Sequence, residues 1–145
     1  MSVGENKSVV QGYFAGAYTD QDGALVDELL APDYVGHFPP NPAVVGREAV
    51  KQFNRETRTA FPDLQLTLDE FIAEGDRVVV RWTMRGTHLG EMRGGIAPTG
   101  KPFTVTGTTT NRVAGGQIAE AWGNIDLLGL MLQLGLVTPP GQSSR

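Results

Sequence analysis

The 145-residue chain is predicted to fold as one α+β domain, with three N-terminal helices on a strongly curved antiparallel sheet that forms a conical, cavity-containing barrel. Three observations predict it. Up to Ala60 the apolar residues recur mainly at helical spacing. Beyond Pro62 they alternate with polar residues. The alternating runs are joined by glycine-rich turns, as in a meander of long strands.

The first helix follows from Val9, Val10, Tyr13, Phe14, Ala17 and Tyr18, which share one stripe. A shorter second helix places Leu25, Val26, Leu29 and Leu30 on one side, and Pro32 is expected to stop it. Asp33 to Phe38 is predicted as a short strand before the rigid loop Pro39-Pro40-Asn41-Pro42. A third helix runs from about Arg47 to Ala60, with Ala49, Val50, Phe53 and Ala60 inward. Phe61-Pro62 ends it, because the residue before a proline avoids helical geometry.

Leu64, Leu66 and Leu68 then alternate with Gln65, Thr67 and Asp69, the pattern of a half-buried strand. The alternation slips at Glu70-Phe71-Ile72, which predicts a bulge. Glu74-Gly75-Asp76 turns the chain into a second strand, with Val78, Val80, Trp82 and Met84 on one face. The glycine- and proline-rich segment Gly90 to Gly100 reads as a mobile rim over the cavity mouth. Pro102 to Val113 forms the third strand, Ala114-Gly115-Gly116 a tight turn, and Gln117 to Asp126 the last strand. Leu127 to Leu134 is an apolar plug, ended at Gly135 and by Pro139-Pro140. The core is placed at about 7–137 of a single domain over 1–145, with a flexible tail at 138–145.

Apolar residues make up 40% of the chain and charged residues 19%, and the formal net charge is −4, which is ordinary for a globular protein. Acids and bases are interspersed, so no basic stripe invites nucleic acid. The chain has no cysteine, which excludes a disulfide framework, a thiolate nucleophile and a cysteine zinc site. Two histidines are too few for a histidine-rich metal centre, so no metal is expected. MSVGENKSVVQGYF lacks the basic segment and apolar core of a secretory signal. The longest apolar run, Leu127 to Leu132, falls far short of the ~20 residues that span a bilayer. A soluble cytoplasmic protein without a membrane or nucleic-acid partner is expected.

The motifs GTHLGEM (86–92), APTGKPF (97–103) and D-x-x-G-x-x-x-Q-L-G (126–135) resemble those of the SnoaL-like polyketide cyclases, within the nuclear transport factor 2-like superfamily. The resemblance runs from roughly Val9 to Leu136. It implies cofactor-independent ring closure on a polyketide-like small molecule, with a carboxylate at the end of the last strand as general acid/base. The matching residue is Asp126. The family's glutamine and histidine on the penultimate strand fall at Gly107 and Thr109 here, and neither can do a histidine's work.

Two readings of Asp126 stay open and are compatible: a helix N-cap, or a carboxylate on the cavity wall whose pKa desolvation raises. His88 follows Trp82, Met84 and Gly86 in alternation, and His37 follows Val35. Each is read as a satisfied core histidine or as a donor to a developing oxyanion. Trp82, Met84, Trp122, Asn124, Tyr34, Phe53 and Thr109 are the expected substrate-contacting wall, Trp122 and Asn124 because they share the parity of Asp126. Arg81, Thr83, Arg85, Thr104, Thr106, Thr108, Thr110 and Arg112 alternate onto the opposite face. That face is either solvated or the interface of a homodimer, and the homodimer is the expectation. Three functions follow: a cyclase using Asp126, a cavity that preorganises ring closure without a base, or a non-catalytic binder of an apolar small molecule.

Overall fold

The computed structural model describes residues 2–20, 22–139 and 141. Helix α1 (Val3–Gly16) starts at a capping box, in which the Ser2 hydroxyl accepts from the Glu5 amide and the Glu5 carboxylate from the Ser2 amide. Helix α2 (Ala24–Leu29) leads into strand β1 (Leu30–His37), a two-residue β2 (Val44–Val45) and helix α3 (Arg47–Ala60). Strands β3 (Gln65–Glu74), β4 (Arg77–Thr87), β5 (Pro102–Ala114) and β6 (Gln117–Ile125) follow, and α4 (Leu127–Gln133) ends the fold.

The strands form one curved, open sheet in the order β2-β1-β6-β5-β4-β3. The β3–β6 meander is antiparallel as expected, but β1 lies parallel to β6, and the sheet does not close into a barrel. A fourth helix, α4, adds to the three expected: it is the apolar plug. Its end at Gly135 is a Schellman turn. The Gly135 amide donates to Leu132 O at 3.1 Å and the Leu136 amide to Met131 O at 2.9 Å, with Gly135 at φ +73. The tail expected over 138–145 lies mostly outside the described residues, Pro140 included.

Pro32 does not act as the stop signal expected of it. Helix α2 ends at Leu29, and β1 begins at Leu30 and runs through Pro32. Near Pro32 the ladder to β6 is irregular, between Leu30 and Val35, and β2 pairs only Val35 and Gly36. A residue without an N–H therefore forfeits no ladder bond there.

The apolar faces bury two clusters. One joins Val10, Val26, Leu30, Tyr34 and Val50 to Val78, Val80, Val113 and Ile118. The other joins Phe61, Met84, Phe103 and Val105 to Leu130 and Leu134 of the plug. Full burial of a side chain such as Leu30 or Ile118 contributes about 1.5–3 kcal/mol. Trp82 packs against both clusters. No described helix is long and apolar enough to cross a membrane.

Two bulges set which side chains face inward. In β3, Leu68 pairs with Trp82 and Glu70 with Arg81, so Asp69 is the extra residue, one position before the predicted slip. In β6, Val113 pairs with Ile118 but Arg112 with Glu120, so Ala119 is extra. The second bulge was not predicted, and it reverses the parity of every later residue in the strand.

Candidate active site

Between the two clusters lies a cavity of about 320 Å³. Helix α1 supplies Tyr13 and Phe14 to its wall, and Tyr18 follows just beyond the helix. From α3 come Val50, Phe53, Asn54 and Thr57, and from β1 Tyr34. The sheet contributes Trp82 and Met84 of β4, Thr109 and Asn111 of β5, and Ile118, Ala121 and Gly123 of β6. Ile125, Leu127, Leu130 and Met131 line it around the plug, and Met92, Arg93 and Ile96 reach in from the 90–100 segment. Such a concave, mostly apolar chamber with a few polar groups is the usual form of a small-molecule site.

Each polar group has a traceable environment. Asn54 Nδ2 donates to the Tyr13 hydroxyl at 3.3 Å, and Trp82 Nε1 to Thr109 Oγ1 at 3.0 Å. Asn111 Nδ2 donates to Val78 O at 3.2 Å. Burial pushes the Tyr13 hydroxyl pKa up, and the Asn54 bond only partly offsets this. Tyr34 is held well above its ordinary value by burial and then by Tyr13 and Tyr18. Tyr18 is raised by burial against the opposing charge of Arg93. All three tyrosines therefore stay protonated donors at neutral pH.

Tyr34, Phe53, Trp82, Met84 and Thr109 line the cavity. Gly107 and Thr109 occupy the positions of the expected glutamine and histidine, and the structure shows what fills their place. A Cβ on Gly107 would collide with the Trp82 indole, so the glycine lets that ring lie across β5 and donate to Thr109.

Four expectations are corrected. Trp122 does not face the cavity. The bulge at Ala119 turns Ala121 and Gly123 inward and puts Glu120 and Trp122 on the outer face, while Asn124, though exposed, lines the cavity as expected. His37 is also outside, because β1 turns Tyr34 and Gly36 inward. Its ring stacks on Trp122 at 5.7 Å, and its Nε2 lies 2.8 Å from Glu120 Oε2.

His88 faces inward as predicted and is fully buried, yet it does not line the cavity. Phe61, which does, stands edge-on to it at 5.9 Å. The Thr99 amide donates to His88 Nδ1 at 3.2 Å, the Thr99 hydroxyl lies 3.1 Å from the same nitrogen, and Nε2 is without a partner among the described residues. Backbone bonds from His88 N to Lys101 O and from Gly100 N to His88 O complete a clasp on the 90–100 segment. Further bonds from the Leu89 and Gly90 amides to Ala60 O fasten the near end of that rim.

Asp126 is exposed and absent from the cavity wall. It is the N-cap of α4: its Oδ1 accepts from the Gly129 amide at 2.9 Å. A Cβ on Gly129 would strike that carboxylate, so the spacing D-x-x-G is accounted for by capping geometry alone.

Among the described residues, no three His, Asp or Glu side chains converge as metal ligands. Sequence reasoning missed Arg93, the one ionised side chain in the wall, and the polar set Tyr13, Tyr18, Asn54 and Thr57. A signal existed: Met92 and Ile96 are apolar residues in a loop otherwise rich in glycine, and they mark a segment that turns inward.

A family model for SnoaL-like polyketide cyclases matches residues 8–134. The chain is similar to a solved structure from Jannaschia sp. CCS1, named a candidate SnoaL-like polyketide cyclase. Identity is 28% over 92% of this chain and 94% of that one, with a TM-score of 0.84. TsrD from Streptomyces laurentii is 33% identical over 94% and 99%, with a TM-score of 0.82. IdmH from Streptomyces antibioticus, named a candidate polyketide cyclase, is 33% identical over 90% and 98%, with a TM-score of 0.73. No curated protein sequence matches the chain.

Proposed function

Because the chain belongs to the SnoaL-like polyketide cyclase family, we propose that it closes a ring in a polyketide-like carbonyl compound by holding the flexible substrate folded, with no carboxylate of its own as base. One observation carries this reading. The cavity wall is aromatic and aliphatic, with tyrosine hydroxyls, amides and one guanidinium, and includes no aspartate, glutamate or histidine among the described residues.

The chemistry needs little more. A 1,3-dicarbonyl chain is partly enolised in water and brings its own proton. The enol carbon attacks a second carbonyl carbon, and a C–C bond forms as the enol C–O becomes C=O. The enol proton ends on the oxygen of the attacked carbonyl. Tyr13 and Tyr34, kept protonated by burial, donate to that oxygen while charge develops on it. Ordering the two reacting carbons beforehand supplies the main rate term.

Product analysis with linear poly-β-ketones tests the proposal. The wild type should give one ring pattern where the uncatalysed reaction gives several. Recovery of every poly-β-ketone unchanged, or as the uncatalysed mixture, would favour a carrier for an apolar small molecule, which the same base-free wall also suits. Pairing of two copies through the outer sheet face belongs to this proposal, supported by exposed Ile72 on β3 and Val45 on β2, at the two edges of the sheet. Sedimentation of Ile72→Asp as a monomer and wild type as a dimer is the expected result.

A further inference from the structure

Arg93 presents a problem that ring closure alone does not solve. Among the described residues it is the one ionised side chain in a mostly apolar wall, and it comes from the 90–100 segment rather than from the sheet. Its guanidinium lies flat on Phe53, with the central carbon 3.6 Å from the ring centroid. Nη2 donates to the Phe53 carbonyl and to Thr57 Oγ1, both on α3. Nε is buried without a hydrogen bond. Glu56 stands 3.5 Å from it as a partly exposed ion partner. Nη1 makes no hydrogen bond among the described residues.

A cation half removed from water with donors left over is costly unless an anion meets it. Glu56 meets it only in part, and burial still outweighs that carboxylate in lowering the guanidinium pKa. The fork is also held rigid by α3 and the Phe53 ring, so it enters a complex already oriented. The hydroxyl of Tyr18, also in the wall, feels the charge of Arg93 and makes no hydrogen bond among the described residues.

On the reading that this cavity is where a polyketide-like chain closes its ring, we propose that Arg93 is its specificity-determining anchor. Arg93 takes a planar two-oxygen anion of the substrate, a carboxylate or the enolate of a 1,3-diketone, with Tyr18 as a second donor. Both anions spread one charge over two oxygens; Nη2 is spent on α3, so one oxygen accepts from Nη1 and the other from the Tyr18 hydroxyl. The geometry therefore selects acidic substrates over neutral esters of the same shape.

Three probes of one ring system test this by isothermal titration calorimetry: 2-naphthoate, methyl 2-naphthoate and 2-naphthoylacetone. Wild-type protein should bind naphthoate, or naphthoylacetone above its own pKa, at least about tenfold more tightly than the ester. Arg93→Gln should lose that preference yet bind the ester as wild type does. Arg93→Lys should keep part of it, as a point charge without the fork. Preference for naphthoate assigns the anchor to a carboxylate, and preference for the diketonate alone assigns it to an enolate. Equal binding of acid and ester by wild type, or an unchanged preference in Arg93→Gln, would overturn the anchor and leave the cavity reading standing. Failure of all three probes to bind would overturn both. Should Arg93→Gln fail to fold, the wild-type preference and the Arg93→Lys variant carry the same decision.

Discussion

The two faces of β6 meet opposite media. Inward, Ile118, Ala121 and Gly123 are buried and line the cavity. Outward, Glu120 and Trp122 sit in a half-exposed cluster with His37, Arg77 and Arg112. There the Arg77 guanidinium lies 5.1 Å over the Trp122 ring, and Arg112 is 3.3 Å from Glu120. Neighbouring strands repeat the division. Val78, Val80, Trp82 and Met84 point in, and Arg77, Arg81 and Arg85 point out. Glu120 and His37 are thus outside, Asp126 caps α4 and His88 is buried behind Phe61, while protonated tyrosines and one guanidinium line the cavity among the described residues. Of the two histidines read from alternation, His88 faces inward as expected and His37 lies on the other side of the sheet.

The comparison breaks most severely if Ala119 is deleted. Removing the bulge would slide Glu120, Trp122 and Asn124 to the inner face and Ala121 and Gly123 outward. Loss of the cooperative unfolding transition is expected by circular dichroism, and a native-like melt would contradict the assigned register.

Filling the cavity from β5 is the next largest perturbation. Gly107→Val should drive Trp82 into the chamber, destabilise the fold by about 1–3 kcal/mol and abolish ring-pattern selectivity. Calorimetry and product analysis read the two effects separately.

Alkaline titration sharpens the inner side without a mutation. The chain has three tyrosines, and all of them line the cavity with pKa values raised from 10.0. Unfolded tyrosines ionise near pH 10, whereas the folded ones hold their protons. The unfolded state then binds fewer protons, and stability falls as pH rises past about 10. Tyrosinate absorbance should appear only together with unfolding. A gradual rise in folded protein near pH 10 would show a wet cavity.

The smallest expected effect is on the outer side. Hydrogen bonds from His37 and then Arg112 hold the Glu120 carboxyl below its ordinary 4.5. Its contribution is complete above about pH 4.5 and is lost as pH falls through the lower folded value. Glu120→Gln should flatten that acid limb of the melting temperature and leave turnover unchanged.

Legibility followed the strength of periodicity. In β4 and β5, five or more alternations fix the inward set, and Trp82, Met84 and Thr109 were placed correctly from sequence. Strand β6 reads Gln-Ile-Ala-Glu-Ala-Trp-Gly-Asn-Ile, where small and polar residues make the alternation too weak to show a bulge. The parity that Trp122 shares with Asp126 then suggested an inner face it does not occupy. In β1, Tyr34 and Gly36 face in, so extrapolating from Val35 sent His37 the wrong way. Met92 and Ile96 mark the segment of Arg93 as turning inward, but a loop carries no period, and the place of Arg93 itself is set by bonds to α3 across 36 and 40 residues. Asp126 was legible in its plainer sense, since an aspartate before an apolar helical run is a cap.

Asp126→Asn tests the central claim most directly, because asparagine caps a helix as well as aspartate does but cannot act as a base. Asp126→Ala, the control for the cap, should cost about 1 kcal/mol of stability. Turnover and ring pattern of the folded Asp126→Asn protein are expected to match wild type. A fall of about 100-fold or more, the scale of a lost general base, would return the carboxylate to the reaction and contradict the account.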